Sequence, residues 1–178
     1  MNSQNAIIAN NYDCRVHQAY FVASLRTRFP QLTFTEDKEA SVNKDTTVLK
    51  TNSPSTDFST IKITLFKDDI ELQISGLHFI KRFNPAMIPV TAAPDADPRI
   101  PLRLQALDFI QQIIEDKFFF RCYRYKGKII RIEIVSVISD TVKETKTYSV
   151  RGSFVKFSTR CEITDYHWSG LKTTMASS

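Results

Sequence analysis

Residues 61–74, IKITLFKDDIELQI, decide how the chain is to be read. Ile61, Ile63 and Leu65 alternate with Lys62, Thr64 and Phe66, the period of two that a half-buried strand requires. A two-residue turn at Asp68-Asp69 would set Leu65 opposite Leu72 and Ile63 opposite Ile74, so both apolar sets share one face. The stretch is therefore an antiparallel hairpin with Lys62, Thr64, Gln73 and Ser75 turned outward. The rest of the chain must cover its apolar side.

Two segments suit that task. Asn11 and Asp13 offer N-caps to a helix with one apolar stripe of Val16, Ala19, Tyr20 and Ala23 and an adjoining one of Val22, Leu25 and Phe29. Pro30 ends it. Pro101 suits the first position of a second helix, where its missing N–H costs nothing. There Leu102, Ala106, Phe109, Ile110, Ile113 and Ile114 form a broad apolar face opposite Asp108, Gln111, Gln112 and Glu115.

Residues 36–57 are polar, rich in Lys, Thr, Ser and Asn, and read as a long mobile loop that folding can dispense with. Residues 84–101 hold Pro85, Pro89, Pro94, Pro98 and Pro101 and read as an irregular proline-rich connection, because each ring removes a donor. Strand patterns follow over 118–125, 128–138, 145–150 and 155–163, with turns at Lys126-Gly127 and Arg151-Gly152, the latter alternatively a bulge in one bent strand. The order predicts a single α+β domain over residues 1–178, with an antiparallel sheet of about five to seven strands and two main helices packed on one side of it. Its two halves each read as a helix followed by hairpin strands. The stretch from Phe83-Asn84-Pro85 to Pro89, after a strand meander, resembles the proline motif of RWD-type interaction domains over a few residues. The strands after the second helix depart from that family, so no function is carried over.

Composition excludes several classes. The only glycines are Gly76, Gly127, Gly152 and Gly170, too scattered for a phosphate-cradling loop. Cys14, Cys122 and Cys161 are an odd, dispersed set that suits a reducing, intracellular compartment rather than a disulfide framework. The first ten residues lack the charged and apolar regions of a secretory leader, and no run approaches the roughly 20 apolar residues that span a bilayer, so no membrane partner is expected. Cys14 and His17 are three apart and Cys161 and His167 six apart, which falls short of a four-ligand zinc pattern. Asp95 and Asp97 read as solvating or capping groups, and His78 as a polar or edge residue. No metal or cofactor is expected, and no catalytic set can be assembled from spacing.

The positive signal is electrostatic. Between Lys117 and Arg160 stand eleven Lys/Arg against three Asp/Glu, a net of +8, whereas residues 1–116 carry a net of −2. If Lys126-Gly127 is a two-residue turn, Arg124 pairs with Ile129 and Cys122 with Arg131, putting Arg124 and Arg131 on the outer face and Tyr123, Ile130, Ile132 and Ile134 on the inner one. Arg121 then points inward and demands a carboxylate, such as one from a helix. The candidate partner-binding residues are Arg124, Lys126, Lys128, Arg131, Lys146, Arg151 and Lys156.

Clustered cations steer anions, so the leading expectation is a non-catalytic interaction module (an adaptor, inhibitor or assembly subunit) docking an acidic protein through this basic sheet. The bland alternative is a solvated face that guards a sheet edge. A nucleic-acid-binding protein comes second. Cations and aromatics interleave in FFFRCYRYKGK, as base stacking would need, although Phe119, Tyr123 and Tyr125 fall to the core side. A small α+β enzyme without a recognisable motif comes third.

Overall fold

The hairpin forms, with its turn one residue earlier than the sequence suggests. In the computed structural model, which describes residues 14–41, 46–54, 60–87, 99–137, 143–149, 161–170 and 172–176, Leu65 faces Ile70, Ile63 faces Leu72 and Ile61 faces Ile74. The Phe66 N–H donates to the Asp69 carbonyl at 2.9 Å and closes the turn over Lys67-Asp68. Moving a turn by one residue slides the register by two, an even step, so every side chain keeps its face. Ile61, Ile63, Leu65, Ile70, Leu72 and Ile74 are all buried, while Lys62, Thr64 and Gln73 alternate with them on the other side.

Element order is one helix and five strands, twice over. The first half holds α1 (Cys14–Arg28), then β1 (Thr35–Glu36), β2 (Thr47–Asn52), β3 (Thr60–Leu65), β4 (Ile70–Ile74) and β5 (Phe79–Phe83). The second holds α2 (Arg99–Ile114), then β6 (Phe118–Tyr125), β7 (Lys128–Val137), β8 (Lys143–Ser149), β9 (Glu162–Tyr166) and β10 (Lys172–Ala176). The α+β class stands, and the strands divide between two antiparallel sheets. The first is a meander in chain order, whereas the second runs β10-β9-β6-β7-β8. The halves share a composition but not a strand order.

The expected loop over 36–57 contains β2, which pairs with β3 from Thr47 opposite Leu65 to Asn52 opposite Thr60. Val48, Leu49 and Thr51 are buried there, and the side chains of a paired strand need no long apolar run to be ordered. The turn before it is also tied. The Asp37 carboxylate pairs with Lys50 at 2.5 Å and accepts from the Ala40 N–H at 3.2 Å, contacts that in this order hold its pKa below the ordinary carboxylate value. Residues 42–45 and 55–59 lie outside the described set, as do 88–98 of the proline-rich connection and 150–160, which include most of the expected 155–163 strand. β10 has no counterpart among the expected strands.

Both helices turn faces to one continuous core. α2 buries Leu102, Ala106, Leu107, Ile110 and Ile113, close to the expected face, and touches β4, β5 and β6. Phe79, Phe83, Phe109, Phe118 and Phe120 interlock where the helix meets the two sheets, with Phe79 and Phe120 edge-to-face at 5.1 Å. Full burial of side chains of this size contributes about 1.5–3 kcal/mol each.

α1 packs the expected stripe of Val22, Leu25 and Phe29 on the core, and departs from expectation elsewhere. Its buried residues are Gln18, Phe21 and Leu25, and the stripe containing Val16 and Tyr20 faces out. Gln18 can be buried because its amide is satisfied twice: Nε2 donates to the Leu65 carbonyl at 3.2 Å, and Oε1 accepts from the Thr47 hydroxyl at 2.9 Å. A polar residue thus anchors the helix to β2 and β3 where periodicity alone would place it outside.

At the far end of α2, Asp116 adopts a left-handed φ of 51° and ends the helix. Its carboxylate accepts from the Trp168 N–H at 2.6 Å and the Ser169 N–H at 3.2 Å, while the Ser53 hydroxyl donates to the Trp168 carbonyl at 3.2 Å. Buried Trp168 thereby joins the end of β2, the end of α2 and the turn after β9.

Candidate interaction surfaces

The second sheet was the expected docking face. The Lys126-Gly127 turn is present, with φ of 48° and 76°, the paired positive values that a two-residue hairpin needs. A Cβ on Gly127 would meet nothing within 4 Å, so glycine is favoured there by backbone conformation rather than by space. Arg124 faces Ile129 as expected. One step further the register shifts: Tyr123 faces Arg131, Cys122 faces Ile132 and Arg121 faces Glu133. Ile130 is the extra residue of a bulge that hydrophobic alternation does not reveal.

The bulge redistributes the side chains. Phe120, Cys122, Ile132 and Ile134 belong to the core cluster, and Arg121, Tyr123, Arg131 and Glu133 share the opposite face. Tyr123 and Arg121 are therefore not on the core side. Burial pushes the Cys122 thiol up to about 12. The expected common surface of Arg124 and Arg131 does not form. Arg124 bonds the hydroxyl of Tyr166, a core residue, and lies 5.2 Å over its ring, whereas Arg131 lies 5.1 Å over Tyr123 on the other side.

On that other side the charges answer one another. Glu133, Arg121 and Asp165 stand in one row across β7, β6 and β9. Arg121 grips Asp165 with two hydrogen bonds of 2.8 Å, so its demand for a carboxylate is met from a strand rather than a helix. Those bonds raise the Arg121 pKa above its ordinary value. Arg131 pairs with Glu133, which also accepts from the Tyr123 hydroxyl at 2.8 Å. Burial first, and this bond second, raise the tyrosine pKa. Phe119 stacks on His167 at 4.8 Å and carries Arg121 above it at 5.5 Å. Aromatic and cationic groups interleave as the sequence suggests, but they spend their interactions on each other.

Of the remaining candidates, Lys126 and Lys128 are exposed at the hairpin tip, with Lys126 5.4 Å over the Tyr125 ring. Lys146 faces Ile134 in the β7–β8 register. Arg151 and Lys156 lie outside the described residues.

A second surface was not anticipated. α1 and α2 lie side by side in the same direction: Arg103 donates to the His17 carbonyl at one end, and Arg28 bonds Asp108 at 2.6 Å and Gln111 at the other. Between their outer faces runs a groove of about 340 Å³. Its walls are Val16 and Tyr20 from α1 and Ile100 and Leu104 from α2, exposed to 63%, 67%, 51% and 52%; only Phe66 and Ile80 are comparable among the described residues. Four of six such side chains in one groove is a concentration, not scatter.

The two helices themselves are basic. The two helices contain Arg15, Arg26, Arg28, Arg99 and Arg103 against a single carboxylate, Asp108. Arg103 reaches into the groove lining, which holds no carboxylate, and lies 5.2 Å over the Tyr20 ring. The sequence did carry a signal: α1 has two apolar stripes, and one helix face cannot bury both. Among the described residues no three His, Cys, Asp or Glu side chains gather as metal ligands, and no helix is long and apolar enough to cross a membrane. Comparison with protein-family models, with curated proteins and with solved structures found no match.

Proposed function

We propose that the protein is a non-catalytic interaction module that docks an acidic protein partner, and that the docking face is the helix layer rather than the second sheet. One observation carries this reading: two-thirds of the large apolar side chains exposed among the described residues line a single groove on helices with five arginines and one carboxylate. Aromatic and arginine side chains around an apolar centre are the composition of protein-binding hot spots. The sheet supports the reading less, because Arg121 and Arg131 have carboxylates on their own face. That pairing also weighs against base stacking on Phe119 and Tyr123.

A random Glu/Tyr copolymer tests the reading, with a Lys/Tyr copolymer as its mirror. The protein should bind the acidic copolymer, the binding should weaken with salt, and Arg103→Glu with Leu104→Glu should remove most of it. Lys126→Glu with Lys128→Glu should change it less than two-fold. Equal binding of the two copolymers, or dependence on the lysine pair alone, overturns the proposal.

A further inference from the structure

We infer that the groove between α1 and α2 seats one amphipathic helix of the partner, lying along the two helices with apolar residues inward and acidic residues at its margins. The inference rests on the docking role proposed for the helix layer and adds the shape and chemistry of the occupant.

The walls repeat at helical spacing. Val16, Tyr20 and Ser24 on one side and Ile100 and Leu104 on the other are four residues apart, about 6 Å of rise, with Leu107 continuing the second wall. From Val16 to Ser24 the groove runs about 12 Å, two turns of a helix. Because α1 and α2 run in the same direction, Val16 and Tyr20 on one wall and Ile100 and Leu104 on the other succeed one another along the groove. Side chains spaced i, i+4 and i+7 on a third helix would drop into the gaps between these wall residues, which is how helices pack.

The backbone argues against an extended peptide. Both walls are helices whose mid-segment N–H and C=O groups bond within the helix, so an extended segment would find no ladder for its own amides. A helix brings its backbone bonds with it. Charge selects among helices. Arg103 enters the groove with its guanidinium on the Arg99 and His17 carbonyls and the Tyr20 ring, partners that fix its position without cancelling its charge. A second copy of this chain would bring Arg103 against Arg103 with no carboxylate in either groove lining, so like charges oppose self-pairing. An acidic helix from another protein meets both requirements.

The probe is a capped, fluorescently labelled peptide of about 16 residues, with Leu at i, i+4, i+7 and i+11 on a Glu/Ala background, titrated by anisotropy. It should bind at least about ten-fold tighter than an isomer of the same composition with the leucines scattered, and tighter than a version interrupted by proline. Leu104→Ala and Tyr20→Ala should each weaken it by about ten-fold with an unchanged melting temperature, since both side chains are exposed. If the scattered isomer binds equally and the Glu/Tyr copolymer still binds, the helical occupant is wrong and the docking role survives. If neither peptide nor copolymer binds, both fall. A dimer in sedimentation that Leu104→Glu dissolves, or Leu104-dependent binding to vesicles of acidic phospholipid without peptide binding, also overturns the inference.

Discussion

The outer faces of the second sheet and of the helix layer are both rich in arginine, yet they differ in what the arginines meet. On the sheet, Arg121 and Arg131 each find a carboxylate in the same lattice, Asp165 and Glu133, and aromatic rings fill the spaces between. On the helices, Arg28 takes Asp108, the one carboxylate of the two segments, while Arg103 enters a groove whose lining is largely apolar and holds no carboxylate. A run of cations in sequence is therefore a poor guide to a positive surface. The partners that neutralise the run can stand 44 residues away, as Asp165 does from Arg121. The less basic half of the chain carries the groove in which exposed apolar side chains gather.

The sharpest way to break this contrast is to remove the carboxylate from the sheet. Asp165→Ala would leave Arg121 three-quarters buried without its bidentate partner, and stability should fall by about 3 kcal/mol in urea unfolding, with docking to the acidic probes intact in the folded fraction. A loss below about 0.5 kcal/mol would mean the lattice is ornamental and its arginines are available to others. On the helix side, Leu104→Asp should lower affinity for the acidic peptide by about 30-fold, roughly 2 kcal/mol, at unchanged stability. A fall in melting temperature instead would place Leu104 in the support of the fold.

Alkaline pH probes the two sides of β6 together. Cys122 on the core side rises from 9.0 to about 12 through burial, and Tyr123 on the other side also rises above 10.0. Both groups stay neutral in the folded chain while the unfolded chain ionises. No penalty exists below about pH 9, and stability should drop as pH climbs from there, by up to about 1.4 kcal/mol per unit for the thiol until pH reaches its folded value. Cys122→Val should flatten that slope in urea midpoints measured between pH 8 and 11; an unchanged slope would assign the alkaline loss elsewhere. The smallest effect belongs to the hairpin tip, where Lys126→Glu with Lys128→Glu should shift affinity for the acidic peptide less than two-fold.

Local signals in the sequence were sufficient where local physics governs. The hairpin at Ile61–Ile74, both helices and the turn at Lys126-Gly127 follow from alternation, periodicity and backbone preference. The misses are places where tertiary contacts decide. β2 was hidden because Lys50 and Asn52 look like loop residues until β3 pairs with them. Of the two apolar stripes of α1, the one with Val22, Leu25 and Phe29 packs on the core, and Gln18 joins the buried face only because Leu65 and Thr47 satisfy its amide. The bulge at Tyr123 and Arg124 leaves no mark on alternation, so the supposed common face of Arg124 and Arg131 was lost with it. The groove between the helices was legible in outline, as a surplus apolar stripe with no core to receive it, but its second wall required the placement of α2 beside α1.

Trp168 bears on the order in which this chain can acquire its structure. β6 and β7 are joined by a two-residue turn and can pair as soon as both exist, but β9 docks on the opposite edge of β6 only after β8 has been made. The indole that closes the core arrives later still, and its anchors, Ser53 and Asp116, wait 115 and 52 residues behind it. During synthesis the first sheet and both helices must persist with that wall open, through a span in which a nascent chain is exposed to sticking and to chaperones. With a C-terminal linker long enough to span the exit tunnel, a stalled chain ending at His167 should be protease-sensitive, and one that also carries residues 168–178 should be resistant.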